Sequence, residues 1–109
     1  MKKLLFLALV PALGCHKAPP PKPLNPQEAA GKQVFVSRCS GCHYADSPDG
    51  LTGPGLQGLL HKPYLPSGRV ANDHTVTGVI LRGWGMMPPL GNTMTDQQLQ
   101  DLLAYLHTL

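Results

Sequence analysis

Cys39-Ser40-Gly41-Cys42-His43 is the stretch on which the reading of this chain turns. Two thiols three residues apart, followed at once by an imidazole, bring three chemistries to mind. A thioredoxin-like dithiol pair sits in a strand–helix pattern, and no run here alternates as a strand does. A zinc site normally needs four ligands, and no second cysteine pair follows. The third chemistry is covalent haem attachment, for which C-x-x-C-H is the signature of c-type haem. Each thiol adds to one vinyl group of the same porphyrin. The residue after the second thiol then lies beneath the iron and offers an imidazole nitrogen as axial ligand. The expectation is one haem c, bound through Cys39 and Cys42, with His43 on the iron.

Toward the N-terminus, Asn25 can cap a helix, Pro26 suits its first position and Glu28 completes a capping box. That helix is expected to run to about Arg38. Before it, Pro19, Pro20, Pro21, Pro23 and Pro26 crowd a segment that prefers an extended spacer conformation. Earlier still, Lys2 and Lys3 precede the apolar run Leu4–Val10, which is too short to span a bilayer comfortably and reads as an export signal. Ala12-Leu13-Gly14-Cys15 resembles the bacterial lipoprotein signal. The resemblance implies cleavage before Cys15 and a lipid thioether on its sulfur. It also explains a cysteine otherwise left over in an oxidising compartment. The expected organisation is a signal peptide over 1–14, a lipidated Cys15 with a proline-rich linker over 15–25, and a haem domain over 26–109.

Toward the C-terminus, residues 44–71 read as loop with a short helix near Leu56–Leu60. Asn72 or Asp73 can cap a second helix through Val76, Val79, Ile80 and Leu81, stopped by Gly83. Residues 83–94 read as loop again. The last helix opens on Thr95, with Gln98 completing a capping box, and carries the apolar stripe Leu99, Leu102, Leu103 and Leu106. The expected fold is all-α, three to four helices with long loops. Wrapping a cofactor gives such loops a reason.

With these elements in place the chain resembles a class I cytochrome c over most of residues 26–109. Gly31-x-x-x-Phe35 is similar to the family's N-terminal helix pattern, and Leu102-x-x-Tyr105 to its C-terminal one. The resemblance implies that the two helices cross closely, the glycine allowing the approach. Thr52-Gly53-Pro54-Gly55-Leu56 resembles the loop in which the proline carbonyl accepts a hydrogen bond from the ligand histidine, with Leu56 packed against the ring. Gly85-Met86-Met87-Pro88 resembles the Met-Pro ligand loop, which implies Met87 as sixth ligand, since the family's ligand directly precedes the proline. The residue before a proline also favours an extended conformation, from which Met87 projects inward. Met86, His61, His74 and an open site remain alternatives, and Gly83 and Gly85 are the flexible points at which the loop could slip. Met94 is expected to pack ahead of the last helix. Arg69, Trp84 and Tyr64 are candidates for contact with the haem propionates, with no firm role.

Removing the signal takes Lys2 and Lys3 with it, so Lys+Arg falls from 9 to 7 against 6 Asp+Glu, a net charge near +1. No strong charge speaks for nucleic acid. A domain this small, with 6% aromatic residues, needs a staple, and a buried porphyrin supplies apolar bulk. Axial ligation by His43 and Met87 leaves no open site for a substrate, so the expected function is single-electron transfer between redox proteins rather than catalysis. The expected setting is the periplasmic side of a bacterial cell envelope, on a lipid anchor, as a monomer or as a subunit of a membrane redox complex. The alternative is a haem enzyme or gas sensor with a weak or open sixth position.

Overall fold

A computed structural model describes Gly14 and residues 20–109. The signal segment, Gly14 apart, and Cys15 lie outside the described residues. Three helices carry the fold: α1 (Pro26–Arg38), α2 (Asp73–Arg82) and α3 (Asp96–Leu106), with 3₁₀ turns at Leu59–His61 and Gly91–Thr93. The described residues form no strand, and the all-α expectation holds; two isolated bridges, Tyr64 to Val70 and Trp84 to Met87, pin loops.

Each helix begins where its cap dictates. The Asn25 side chain accepts from the Glu28 N–H at 2.8 Å, and the Glu28 carboxylate accepts from the Asn25 N–H at 2.8 Å. Thr95 and Gln98 make the same reciprocal pair on α3, at 3.1 and 2.9 Å. On α2 the cap is Asn72, whose side chain accepts from the Thr75 N–H at 2.9 Å, which leaves Asp73 as the first helical residue. Such caps are worth about 1 kcal/mol each.

The core is the crossing of α1 and α3. A Cβ on Gly31 would run into the Asp101 carbonyl and stand 2.8 Å from the Tyr105 Cβ, so only glycine lets the backbones touch here. One helical turn on, the Phe35 and Tyr105 rings meet with centroids 5.6 Å apart, tilted by 57°. This is a favourable aromatic pairing. Val34, Leu99, Leu102, Leu103 and Leu106 bury the rest of the seam. Leu24 packs against this core and Asn25 caps α1, so the last residues of the proline-rich segment join the folded body.

Two local expectations shift. The short helix near Leu56–Leu60 begins at Leu59, because Gly58 turns the chain with φ 67°, outside helical backbone. The Gly91–Thr93 turn lies in a stretch read as plain loop; it closes through the Thr93 hydroxyl donating to the Leu90 carbonyl at 2.7 Å.

Candidate functional site

Helix α1 runs directly into the C-x-x-C-H segment. The Phe35 carbonyl accepts from the N–H of Cys39 at 2.8 Å and of Ser40 at 3.0 Å, and the Cys39 carbonyl then accepts from Cys42 at 3.0 Å and His43 at 2.9 Å. The chain thus keeps a helical sense past the end of α1, which turns both thiols and the imidazole to one side.

That side is the wall of a cavity of about 450 Å³. Cys39, Cys42 and His43 meet Pro54, Leu56 and Leu65 from the loops, Val76 and Ile80 from α2, and Leu102 and Leu106 from α3. Met87 joins them from the loop after α2. No Asp, Glu, Lys or Arg lines the cavity. Its volume suits a cofactor. The donor set, two thiols, one imidazole and the thioethers of Met86 and Met87 on apolar walls, matches what a covalently attached iron porphyrin requires.

The His43 ring is held from behind. Its Nδ1–H donates to the Pro54 carbonyl at 2.7 Å. A carbonyl only accepts, so Nδ1 carries the proton and in the neutral ring Nε2 keeps its lone pair free for a metal. Such a bond fixes the tautomer and raises ligand basicity. The loop fits because of Gly53: a Cβ there would overlap the His43 Cε1 and lie 2.8 Å from Nδ1. The Gly53 N–H also ties the loop to the Cys42 carbonyl at 2.7 Å.

Met86 and Met87 both border the cavity but differ sharply in surroundings. Met86 is 90% exposed, whereas Met87 is half-buried and packed against the core. The segment is a tight turn rather than an extended strand. The Trp84 N–H donates to the Met87 carbonyl at 3.1 Å, and the Met87 N–H to the Trp84 carbonyl at 3.0 Å. Gly83 (φ 75°) and Gly85 (φ 58°) occupy left-handed backbone that favours glycine. A Cβ on Gly83 would stand 2.5 Å from the Met87 carbonyl oxygen. Gly83 is therefore held against the Met87 carbonyl, while nothing stands within 4 Å of a Cβ on Gly85.

The other candidates separate cleanly. His61, His74 and Arg69 do not line the cavity. His61 donates from Nε2 to the His107 carbonyl at 2.9 Å, and His107 donates to Asp73 at 2.7 Å. Met94 packs at the edge of the core. Tyr64 is exposed, and Trp84 borders the cavity while half-exposed. Val79, part of the apolar pattern of α2, also lines it, and so does Ser67, which carried no sequence signal because nothing in a Pro-Ser-Gly turn marks which way it faces.

Burial pushes the Cys39 thiol up to about 11, with the Arg38 charge opposing and Cys42 adding. Redox-active C-x-x-C pairs work through a lowered thiol pKa. The electrostatics here run the other way.

Residues 26–106 match the family described as cytochrome c oxidase, cbb3-type, subunit III. The chain is also similar to cytochrome c6 of Picosynechococcus sp., 28% identical over 109 aligned residues covering 97% of this chain and 92% of that protein. Cytochrome c6 of Rippkaea orientalis is 28% identical over 105 residues, covering 96% and 91%. Cytochrome c6 of Tetradesmus obliquus is 27% identical over 79 residues, covering 72% and 86%. The family match runs from the first residue of α1 to the last of α3, and the chain belongs to this family: it is a monohaem class I c-type cytochrome, an electron carrier with one covalently bound haem c.

Proposed function

We propose that the apolar cavity holds haem c, which Cys39 and Cys42 would bind through thioethers and whose iron His43 and Met87 would hold. The observation that carries this reading is the convergence of all four side chains on one cavity, together with the His43–Pro54 hydrogen bond. Bound haem iron supplies one-electron chemistry by cycling between ferric and ferrous states. Pro54 holds the His43 ring in its ligating tautomer. The braced turn from Gly83 presents the Met87 sulfur, a soft ligand that favours ferrous iron and raises the potential. Leu56, Leu65, Ile80 and Leu102 exclude water. With His43 and Met87 both holding the iron, no position would be left for oxygen, and the site would carry electrons.

The wider setting is part of the same proposal. Residues 1–14 are removed, Cys15 carries lipid, and the proline-rich linker holds the domain on the periplasmic side of a bacterial cell envelope, where it exchanges electrons with redox proteins. No helix of the described residues is long and apolar enough to cross a membrane. Absorption spectra of the oxidised, reduced and pyridine-treated protein test the haem reading. A two-thioether pyridine spectrum and a far-red Met-to-iron band are expected. Carbon monoxide binding to the untreated reduced protein would instead favour the enzyme or gas-sensor alternative.

A further inference from the structure

Ser67 carries a side-chain oxygen that is closed to solvent and bonded to nothing, the one such atom among the described residues. It sits in a small hairpin. The Leu65 N–H donates to the Arg69 carbonyl at 2.8 Å, and the Gly68 N–H to the Leu65 carbonyl at 2.8 Å. Gly68 turns with φ 81°, and the Tyr64–Val70 bridge closes the base. This is the three-residue hairpin loop in which glycine takes the left-handed position. Leu65, buried in the core, seats the hairpin so that Pro66 and Ser67 form part of the cavity wall.

A haem brings two carboxylates into a cavity that no cationic side chain lines. Arg69, the nearest cation in sequence, is exposed and stands off the wall. A carboxylate beside apolar walls needs a hydrogen-bond donor. The neutral side-chain donors on the wall besides His43 and the thiols are Thr52, Trp84 and Ser67. Thr52 is exposed and Trp84 half-exposed, so water competes for both. The Ser67 hydroxyl alone is dry and unspent.

On the reading that haem fills this cavity, we propose that the Ser67 hydroxyl donates a hydrogen bond to one haem propionate. The Ser67 Oγ is closed to water, so the bond requires the side chain to turn about Cα–Cβ toward the cavity that the residue lines; no hydrogen bond has to break for that turn. The bond favours the ionised carboxylate and holds down its pKa. One propionate is thereby distinguished from the other by a neutral donor rather than by an arginine.

The test uses holoprotein carrying haem labelled with ¹³C at the propionate carboxyls, titrated by NMR. In Ser67→Ala one carboxyl signal should titrate about one pH unit higher, the size expected for loss of a single hydrogen bond to a charged group. The second signal should stay in place, and Ser67→Thr should restore the first. Unchanged midpoints for both carboxyls in Ser67→Ala would overturn the assignment and leave a buried water as the partner of the hydroxyl. Failure of the underlying haem reading shows separately, as absence of the two-thioether spectrum in the wild-type protein.

Discussion

At the scale of single residues the sharpest question is which methionine faces iron. Met86 is largely exposed at the cavity's edge, and Met87 packs against the core. Met87→Ala should therefore abolish the far-red charge-transfer band, lower the reduction potential and open the reduced protein to carbon monoxide. Met86→Ala should keep the band. Loss of the band in Met86→Ala alone would reverse the assignment. Gly53 offers an independent check on the other axial side. A Cβ in Gly53→Ala enters the space of the His43 ring, so the ring must move away from the Pro54 carbonyl. The variant should still attach haem through both cysteines but show a lower yield and a perturbed potential. A spectrum and potential equal to wild type would show that the Gly53 contact constrains nothing.

At the scale of elements the crossing of α1 and α3 is the joint on which the rest depends. Gly31→Ala raises intrinsic helix propensity by about 1 kcal/mol. It also drives a methyl into the Asp101 carbonyl and the Tyr105 side chain, so the two backbones must part. Overpacking of this kind costs about 1–3 kcal/mol, and thermal unfolding should show net destabilisation despite the better propensity. A raised melting temperature would contradict the contact. Tyr105 on the same joint gives the crossing a pH dependence. Burial, with a smaller effect of the Asp46 carboxylate, raises its phenol above the ordinary value of 10.0. The neutral ring is the form the fold prefers, so its contribution is intact below about pH 10, the unfolded value, and is lost as pH rises through the folded one. Tyr105→Phe should flatten the alkaline fall in stability measured by denaturant titration.

At the scale of the whole molecule, the cavity of about 450 Å³ separates α2 and the loops from the α1–α3 joint. The buried hydrophobic core lies mostly on that joint. With the porphyrin absent, the walls of the cavity lose their packing partner. A Cys39→Ala, Cys42→Ala double variant isolated without haem should thus keep some helix by circular dichroism but lose cooperative unfolding. A cooperative transition at wild-type denaturant concentration would show that the polypeptide core suffices. The lipid anchor is testable at the same scale. Cys15→Ser should move the protein from the membrane to the soluble fraction with an unchanged haem spectrum, because a proline-rich spacer separates the lipid sulfur from the two haem sulfurs. Mass spectrometry finding an unmodified Cys15 in the wild type would end the anchor proposal.

The sequence alone determined what depends on local geometry. The C-x-x-C-H spacing, the Asn25–Glu28 and Thr95–Gln98 caps and the leucine stripe of α3 are short-range patterns, and each governs backbone within a turn or two of itself. It left Asn72 and Asp73 equivalent as caps, and it read Gly83 and Gly85 as slack. The structure makes Asn72 the cap and folds the Met87 carbonyl back against Gly83 within one turn. What only the tertiary structure decided is which distant elements meet. The wall of the cavity is one instance: Ser67 lines it because Leu65 is buried in a distant core, and no pattern within the Pro66-Ser67-Gly68 turn records which way that burial tilts it.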